Sequence, residues 1–535
     1  MGAIMPAVKK IGRGRSRTRV FCVALCSFSG LVLVWSRLAN LGTSFWSDEA
    51  YSAYYYANRG PRGIFFGTYV PNNHPLYNLL SWVTTGAVGR FEASYRIWSV
   101  VPGAAAVALA AWWAWKRIGP VAATVLVVLA TVSPVHLVLT PQARGYGLAI
   151  FAAVVMFVGA VRASDSKSTR DIVLFAIGAI VGIWTLPVFA LAAIPQAGVL
   201  LWNKELRKRT LIACGAIAVL TIAWYASMLS GMLHSSDQQF GTRLAVVGVV
   251  TGAYHDLAAP TIAIGMPFGM HSLLNNVATF VVIIGLTIAA AFRMWRRGDR
   301  ALLAHVLVPI FFVYLVLVAG RFYVQPRFAS YLLFHVLVIF AIGVQQFWDV
   351  VAGFTPARAI VAVGLVVLAL CGSARVATIT RAQARVPWEN TQFVANLVKS
   401  TGLDTVVTDS THPGALYYYL GGTKHVIALH ATAIANRSYC ANKFRFIFVD
   451  DQYHQSVRPN VKCLIARHAV KIKVPQQLYP PIRKPGALTV YLVPRRAKTT
   501  PTALARARAR TRARARTRAR ARRRARVRAR KPVAN

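Results

Sequence analysis

Phe45-Trp46-Ser47-Asp48-Glu49-Ala50-Tyr51 decides how the chain reads. Two carboxylates stand side by side just beyond an apolar run at 20–39. Adjacent acids at the edge of a membrane are costly unless they are hydrated, paired or functional. A partly desolvated member of such a pair suits a general base. The plain alternative is that Ser47 or Asp48 caps a helix lying in the interface.

Outward from that stretch, composition bounds the class. Of 535 residues, 56% are hydrophobic and 14% charged, where a soluble protein averages about 25% charged. Mean hydropathy is +0.48. These values exclude a soluble enzyme, a disordered protein or a DNA-binding domain as the main body and leave a multi-pass membrane protein. Residues 1–19 form a basic N-terminus with Lys9, Lys10, Arg13, Arg15, Arg17 and Arg19. The apolar run that follows is long, and no small-residue cleavage site precedes Trp46, so it reads as an uncleaved first span leaving the cytosol. Pro6 stands where N-myristoylation needs Ser or Thr.

Further spans are expected near 97–115, 120–139, 147–162, 171–186, 187–203, 210–229, 276–293, 301–319, 328–348 and 359–377, for a total of about eleven transmembrane helices. The run 74–89 is short and opens His74-Pro75; it reads as an interfacial helix within an outer loop at 41–95. Charge supports that choice. It puts Lys116/Arg117, Arg162/Lys167/Arg170, Lys204 to Arg209, Arg293 to Arg300 and Arg358 all inside, whereas a span at 74–89 would send them outside.

The odd span count places everything after about 378 outside the cytosol. Residues 378–494 mix a helical stretch at 388–399, strand-like runs at 405–407, 444–449 and 488–493, and a Gly421-Gly422 turn, and read as a small α/β domain. Residues 495–535 form an Arg-rich tail with 18 bases and no acid; without it the net charge falls from +47 to +29. Such low complexity buries no core and reads as a disordered, solvated arm. It suits a polyanion such as anionic lipid headgroups, a phosphate-rich glycan or nucleic acid. Cys22, Cys26, Cys214 and Cys371 lie in apolar runs and read as packing residues. Cys440 and Cys463 lie in the polar part and are able to form a disulfide if it is extracytoplasmic.

In the membrane part, acids on the outer side are few: Asp48, Glu49, Glu92, Asp237 and Asp256. The main outer bases are Arg59, Arg62, Arg90, Arg96, Arg144, Arg243, Arg321 and Arg327. A guanidinium there suits a phosphate; the bland reading of any single one is snorkelling to headgroups. Several arginines and an acidic pair on one face favour the functional reading. His74 suits a metal or a phosphate, against the plainer role of a hydrogen-bonding residue. No Asp-x-Asp or His-Glu-x-x-His pattern is present, so a divalent metal is left open without sequence support.

In order along the chain, Phe-Trp-Ser-Asp48-Glu49-Ala-Tyr51, His74-Pro75-Leu76-Tyr77, Arg96, Gln142-Ala143-Arg144-Gly145-Tyr146 and Pro326-Arg327-Phe328 resemble the GT-C membrane glycosyltransferases. The likeness is to the glycosyltransferase family 39 type, which includes protein O-mannosyltransferases and the bacterial lipid A aminoarabinose transferase. It covers about 20–377. The chain is one Pro short of the family's His-Pro-Pro-Leu-Tyr and carries an amide, Gln142, where the family has a carboxylate.

The resemblance implies a polyprenyl-phosphate-linked sugar donor, transfer to a lipid, glycan or protein acceptor on the non-cytoplasmic face of the cell membrane, and inversion at the anomeric carbon. It implies Asp48 as the base, with Glu49 as base or orienting partner. Arg144 and Arg327, then Arg96 and His74, are the candidates for the donor phosphate. Tyr51, Tyr146 and Tyr77 are candidates for lining the sugar or acceptor. Two rivals stay open: a transporter or lipid flippase, which would show matched halves with broken helices, and a membrane scaffold that works through its Arg tail.

Overall fold

The structure, a computed structural model, describes residues 5–67, 69–70, 73–233, 285, 287–320, 330–351, 354–385, 390–408, 414–421, 425–428, 445–451, 468–472, 474 and 488–494. The expected span at 276–293 lies partly outside these residues; Arg327, Cys440, Cys463 and the tail at 495–535 lie wholly outside them. The chain divides into two compact units, one of residues 1–397, 412–422 and 474–488, the other of 398–411, 423–473 and 489–535.

The first unit is helical. Helix α1 (Met5–Leu38) leads to a loop that carries α2 (Ser47–Tyr51), a π-helical turn (Ser52–Tyr56), α3 (Gly60–Phe66) and α4 (Pro75–Val88). The bundle continues with α5 (Glu92–Arg117), α6 (Pro120–Val132), α7 (Pro134–Leu139), α8 (Tyr146–Ser166), α9 (Thr169–Thr185), α10 (Ala190–Trp202), α11 (Lys204–Tyr225), α12 (Arg300–Gly320), α13 (Leu333–Val350) and α14 (Thr355–Arg385). Among the described residues, five helical segments are long and apolar enough to cross a membrane: Arg17–Leu38, Glu92–Arg117, Tyr146–Ser166, Ser330–Val350 and Thr355–Gln383. Shorter apolar helices cover Pro120–Val132, Pro187–Trp202 and Arg300–Val313.

The apolar run at 120–139, expected as one span, is two helices. Pro134 has no backbone N–H to donate to the carbonyl one turn back. The chain breaks at Ser133, whose side chain then caps α7 by accepting from the His136 amide.

Burial sorts the helices. In α8, 83% of the apolar window is enclosed, against 22% in Arg17–Leu38 and 28% in Thr355–Gln383. Leu31, Val219, Ile222 and Ile360 are exposed although apolar, as befits helices whose outer solvent is hydrocarbon. One core joins α1, α5, α6, α8, α13 and α14 around Val125, Leu126, Val128 and Val338; a second joins α8 to α11 around Met156, Phe175 and Phe189. Some polar groups inside the bundle are matched across helices, where an unpaired one costs about 4 kcal/mol. Gln345 on α13 accepts from the Val121 and Ala122 amides at 3.0 and 3.1 Å, satisfying N–H groups that the first turn of α6 leaves open.

After α14 come α15 (Thr391–Ser400) and α16 (Gly414–Leu420). The second unit holds a sheet of β1 (Thr405–Thr408), β2 (His425–Ala428), β3 (Phe446–Asp451), β4 (Val470–Ile472) and β5 (Leu488–Val493), in the order β2-β1-β3-β5-β4. β1 pairs in parallel with β2 and β3, while β4 and β5 are antiparallel. Val406, Val407, Ile447, Phe448 and Val449 are buried, the near-continuous apolar run of central parallel strands. β2 and β4 were not among the strands expected from the sequence.

Candidate functional site

Helix α2 starts with Trp46 in the cap position, so Ser47 or Asp48 does not cap it. Asp48 and Glu49 become its second and third residues. Successive residues of a helix point about 100° apart, so the two acids enter different surroundings.

Glu49 turns inward and is 3% exposed. Its carboxylate accepts from the Trp46 amide at 3.1 Å and from the Ala143 amide. Arg96 of α5 meets it with two parallel bonds, Nε to Oε1 at 2.9 Å and Nη2 to Oε2 at 2.8 Å. The rest of that guanidinium gathers the loop: Nη1 donates to the carbonyls of Asn40, Leu41 and Thr43 and to Thr43 Oγ1, at 2.7 to 3.0 Å. Every nitrogen of Arg96 is thus engaged inside the protein. The sequence reading had Arg96 among the phosphate-binding candidates and Glu49 as base or orienting partner. The geometry makes the pair a clasp that closes residues 40–49 onto α5 and the Ala143 turn, because neither group keeps an unengaged polar atom to offer a substrate.

Asp48 turns instead toward the residues before α8. Its Oδ2 accepts from Arg144 Nη1 at 2.8 Å, with the Asp48 side chain 21% exposed and that of Arg144 1%. Arg144 Nε has no hydrogen-bond partner, and its guanidinium lies 4.9 Å from the centre of the Tyr146 ring. Arg144 therefore combines a carboxylate, an aromatic face and a remaining donor. His74 caps α4 by position; it is fully buried, with its ring edge-on to Tyr146 at 5.2 Å. The structure thus brings together Asp48, Arg144, Tyr146 and His74.

The other expected aromatics divide. Tyr77 is 1% exposed and its hydroxyl donates to the Tyr95 carbonyl at 2.7 Å, which pins α4 to α5 rather than lining an opening. Tyr51 is half-buried, with its ring 4.4 Å from that of Tyr55. Burial raises the Tyr51 hydroxyl above the ordinary phenol range and pushes Tyr55 to about 12, so both stay neutral donors near pH 7. Among the described residues no three His, Cys, Asp or Glu side chains converge. Gln142 carries an amide where the resemblance implies a carboxylate.

Sequence reasoning missed α16. The Phe45 amide donates to the Tyr419 hydroxyl at 2.6 Å, and that hydroxyl donates to Glu92 at 3.1 Å. Tyr417 stacks on Tyr54 at 5.6 Å, and Arg59 lies over Tyr54 and Tyr55. The signal was available: Tyr54-Tyr55-Tyr56 and Tyr417-Tyr418-Tyr419 are matching runs of an uncommon kind.

No protein-family model and no curated protein matches the sequence. Solved structures do match the fold. ArnT from Cupriavidus metallidurans in the apo state superposes with a TM-score of 0.54 at 11% identity, over 90% of this chain and 98% of that one. The Archaeoglobus fulgidus oligosaccharyltransferase, in complex with Zn and sulfate, superposes with a TM-score of 0.50 at 11% identity, over 76% of this chain and 62% of that longer one. The chain has the fold of the GT-C membrane glycosyltransferases.

Proposed function

We propose that the protein is a multi-pass membrane glycosyltransferase that moves a sugar from a polyprenyl-phosphate-linked donor to an acceptor hydroxyl on the extracytoplasmic face. The observation that carries this reading is the Asp48–Arg144 pair, a partly exposed carboxylate held 2.8 Å from a buried guanidinium. An acceptor hydroxyl has a pKa far above 7 and needs a base beside it. Asp48 takes the proton as the acceptor oxygen bonds to the anomeric carbon from the face opposite the phosphate. The carbon–oxygen bond to phosphate breaks with its electron pair, and polyprenyl phosphate leaves. Arg144 stabilises the charge that develops there, with His74 and Arg327 as further phosphate candidates.

Glu49 and Arg96 hold the loop that presents Asp48. Tyr51 flanks the sugar, while Tyr146, fully buried, backs the Arg144 guanidinium. An oligosaccharyltransferase is by name a sugar-transferring enzyme, and this chain shares its fold.

The test is incubation of purified protein with a panel of polyprenyl-phosphate sugars and mass analysis of the released lipid phosphate. Wild type is expected to turn over at least one donor. Asp48→Asn should lose at least about 100-fold in kcat, the lower end of general-base contributions, with donor binding retained. Unchanged turnover in that variant removes Asp48 from the role.

A further inference from the structure

The helical run from Ser47 to Arg59 is continuous: α2, the π-helical turn and a 3-10 turn (Ala57–Arg59) follow one another without a break. Its two faces differ. Glu49, Ser52, Ala53, Tyr56 and Ala57 are buried, while Asp48, Tyr51, Tyr54 and Tyr55 stay partly open and Arg59 is exposed. The open side chains form a ladder. The Tyr51 and Tyr55 rings lie 4.4 Å apart, and the Arg59 guanidinium lies 5.2 Å from the Tyr55 ring and 5.6 Å from that of Tyr54. At about 1.5 Å of rise per residue, Arg59 stands about 16 Å along the run from Asp48.

The ladder fixes the Arg59 side chain. Ring faces attract a guanidinium laid over them. A side chain at Gly63 of α3 would meet the Arg59 stem and the Tyr55 carbonyl, so the glycine lets that stem lie close. Stacking engages only the face of the guanidinium and leaves its edge of N–H donors. Among the described residues no carboxylate pairs with Arg59, whereas Arg96 and Arg144 each have one. An arginine that snorkels to headgroups reaches outward on an extended stem; this one folds back over its own helical run.

The start of the ladder says what meets it. The acceptor hydroxyl comes to Asp48. The inward side there is closed by Glu49 and Arg96, and Arg144 is assigned to the donor phosphate. The surface that continues outward from Asp48 is the tyrosine ladder, with Tyr417 of α16 stacked on Tyr54 beside it. Half-open aromatic faces with neutral hydroxyls suit a polyhydroxylated chain, and a preorganised guanidinium at the far end suits an oxyanion. We infer that Arg59 is a specificity-determining residue. It selects an acidic saccharide as acceptor and grips its carboxylate or phosphate, while Tyr51 and Tyr55 support the stretch between that group and the hydroxyl at Asp48. This deepens the transferase reading and rests on it.

Arg59→Met keeps the stem and removes the fork. Arg62→Met removes an exposed cation three residues on and serves as the control. Full-length wild type and both variants, in phosphatidylcholine nanodiscs, are compared for binding of trigalacturonate, its neutral methyl ester, mannose 6-phosphate and mannose. One lost charge-assisted contact corresponds to a weakening of about 10-fold. Arg59→Met is expected to weaken an acidic probe by that factor, with the neutral probes unaffected and Arg62→Met binding as wild type does. The probe that weakens tells carboxylate from phosphate. Equal affinities of wild type and Arg59→Met for both acidic probes, no binding of either by wild type, or equal weakening in Arg62→Met overturns the inference.

Adding phosphatidylglycerol to the nanodiscs tests a headgroup as the source of the oxyanion. A rise in the wild-type melting temperature that Arg59→Met loses, without any Arg59 effect on the acidic probes, makes the residue a membrane anchor and overturns the inference. Arg59→Lys keeps the charge without the planar fork; it should bind the acidic probes less tightly than wild type, and it makes the same comparison if the methionine variant does not fold. Donor turnover separates the two readings. Turnover in wild type with acidic-probe binding indifferent to Arg59 removes this inference alone. Arg59-dependent binding in a protein that turns over no donor removes the transferase reading and leaves the acidic site.

Discussion

Neighbouring acids in one helical turn have opposite surroundings, and that contrast sets what each substitution should do. Glu49 is enclosed by Arg96 and two backbone amides; Asp48 keeps part of its surface outside. Removing one partner of a buried ion pair strands the other charge at a cost of about 3–5 kcal/mol. Glu49→Gln is therefore expected to lower the melting temperature and to reduce turnover through misplacement of Asp48. Replacing both partners, Glu49→Leu with Arg96→Met, should cost less than the two single losses summed, because no charge is stranded, yet stay below wild type, because the backbone groups that the pair engages lose their partners; activity is not recovered. Thermal melts of the singles and the double check it: additive losses would mean the clasp is not a coupled unit. The acidic pair and Arg144 stood out in the sequence as candidates because carboxylates and guanidinium groups are rare beside apolar runs. Which acid met which arginine was not legible, since the Glu49 and Arg96 partners stand 47 residues apart and Asp48 and Arg144 96 apart. Only helix phase and loop path decide such pairings.

At the scale of elements, helix contacts follow small residues as much as large ones. A side chain at Gly159 of α8 would meet the backbone of Phe175, and one at Gly178 of α9 would meet that of Met156. Close approach of this kind, with backbones touching, is how helices associate where lipid removes the hydrophobic drive. Gly178→Leu should force α8 and α9 apart and lower the melting temperature by several degrees, about 4 °C or more per kcal/mol lost in a small domain and less in a chain this long. An exposed control on α11, Gly215→Leu, with nothing within 4 Å of the added carbon, should leave it unchanged. Hydropathy located most of these helices, because it sums over many residues. It concealed the Ser133–Pro134 break inside an apolar run, although proline chemistry announced it. Strands β2 and β4 were hidden for a different reason. A strand of three or four residues carries too few alternations to be told from a loop.

At the scale of the whole chain, the expected membrane orientation follows from the distribution of lysine and arginine. A label-accessibility scan should find Lys204, Lys208 and Arg209 cytoplasmic and Lys424 external; the reverse would overturn the expected span count. Deletion of 499–535 should leave transfer intact, as measured by released lipid phosphate, because every group assigned to chemistry lies before residue 330. A lost turnover would favour the scaffold rival. The fold class was readable from composition and from five short motifs in order. The closure of the first loop by α16 was announced only by the two matching tyrosine runs, since nothing local ties Phe45 to Tyr419.

That bond between Phe45 and Tyr419 spans 374 residues, and it ties assembly to the pace of translation. At about 5–20 residues per second, Tyr419 leaves the ribosome roughly 20–75 s after its partner. During that interval the nascent chain has already entered the bilayer with Phe45 uncovered and Glu92 lacking its tyrosine. A message truncated anywhere between them would yield an inserted polypeptide that never completes this joint, a ready substrate for membrane quality-control proteases.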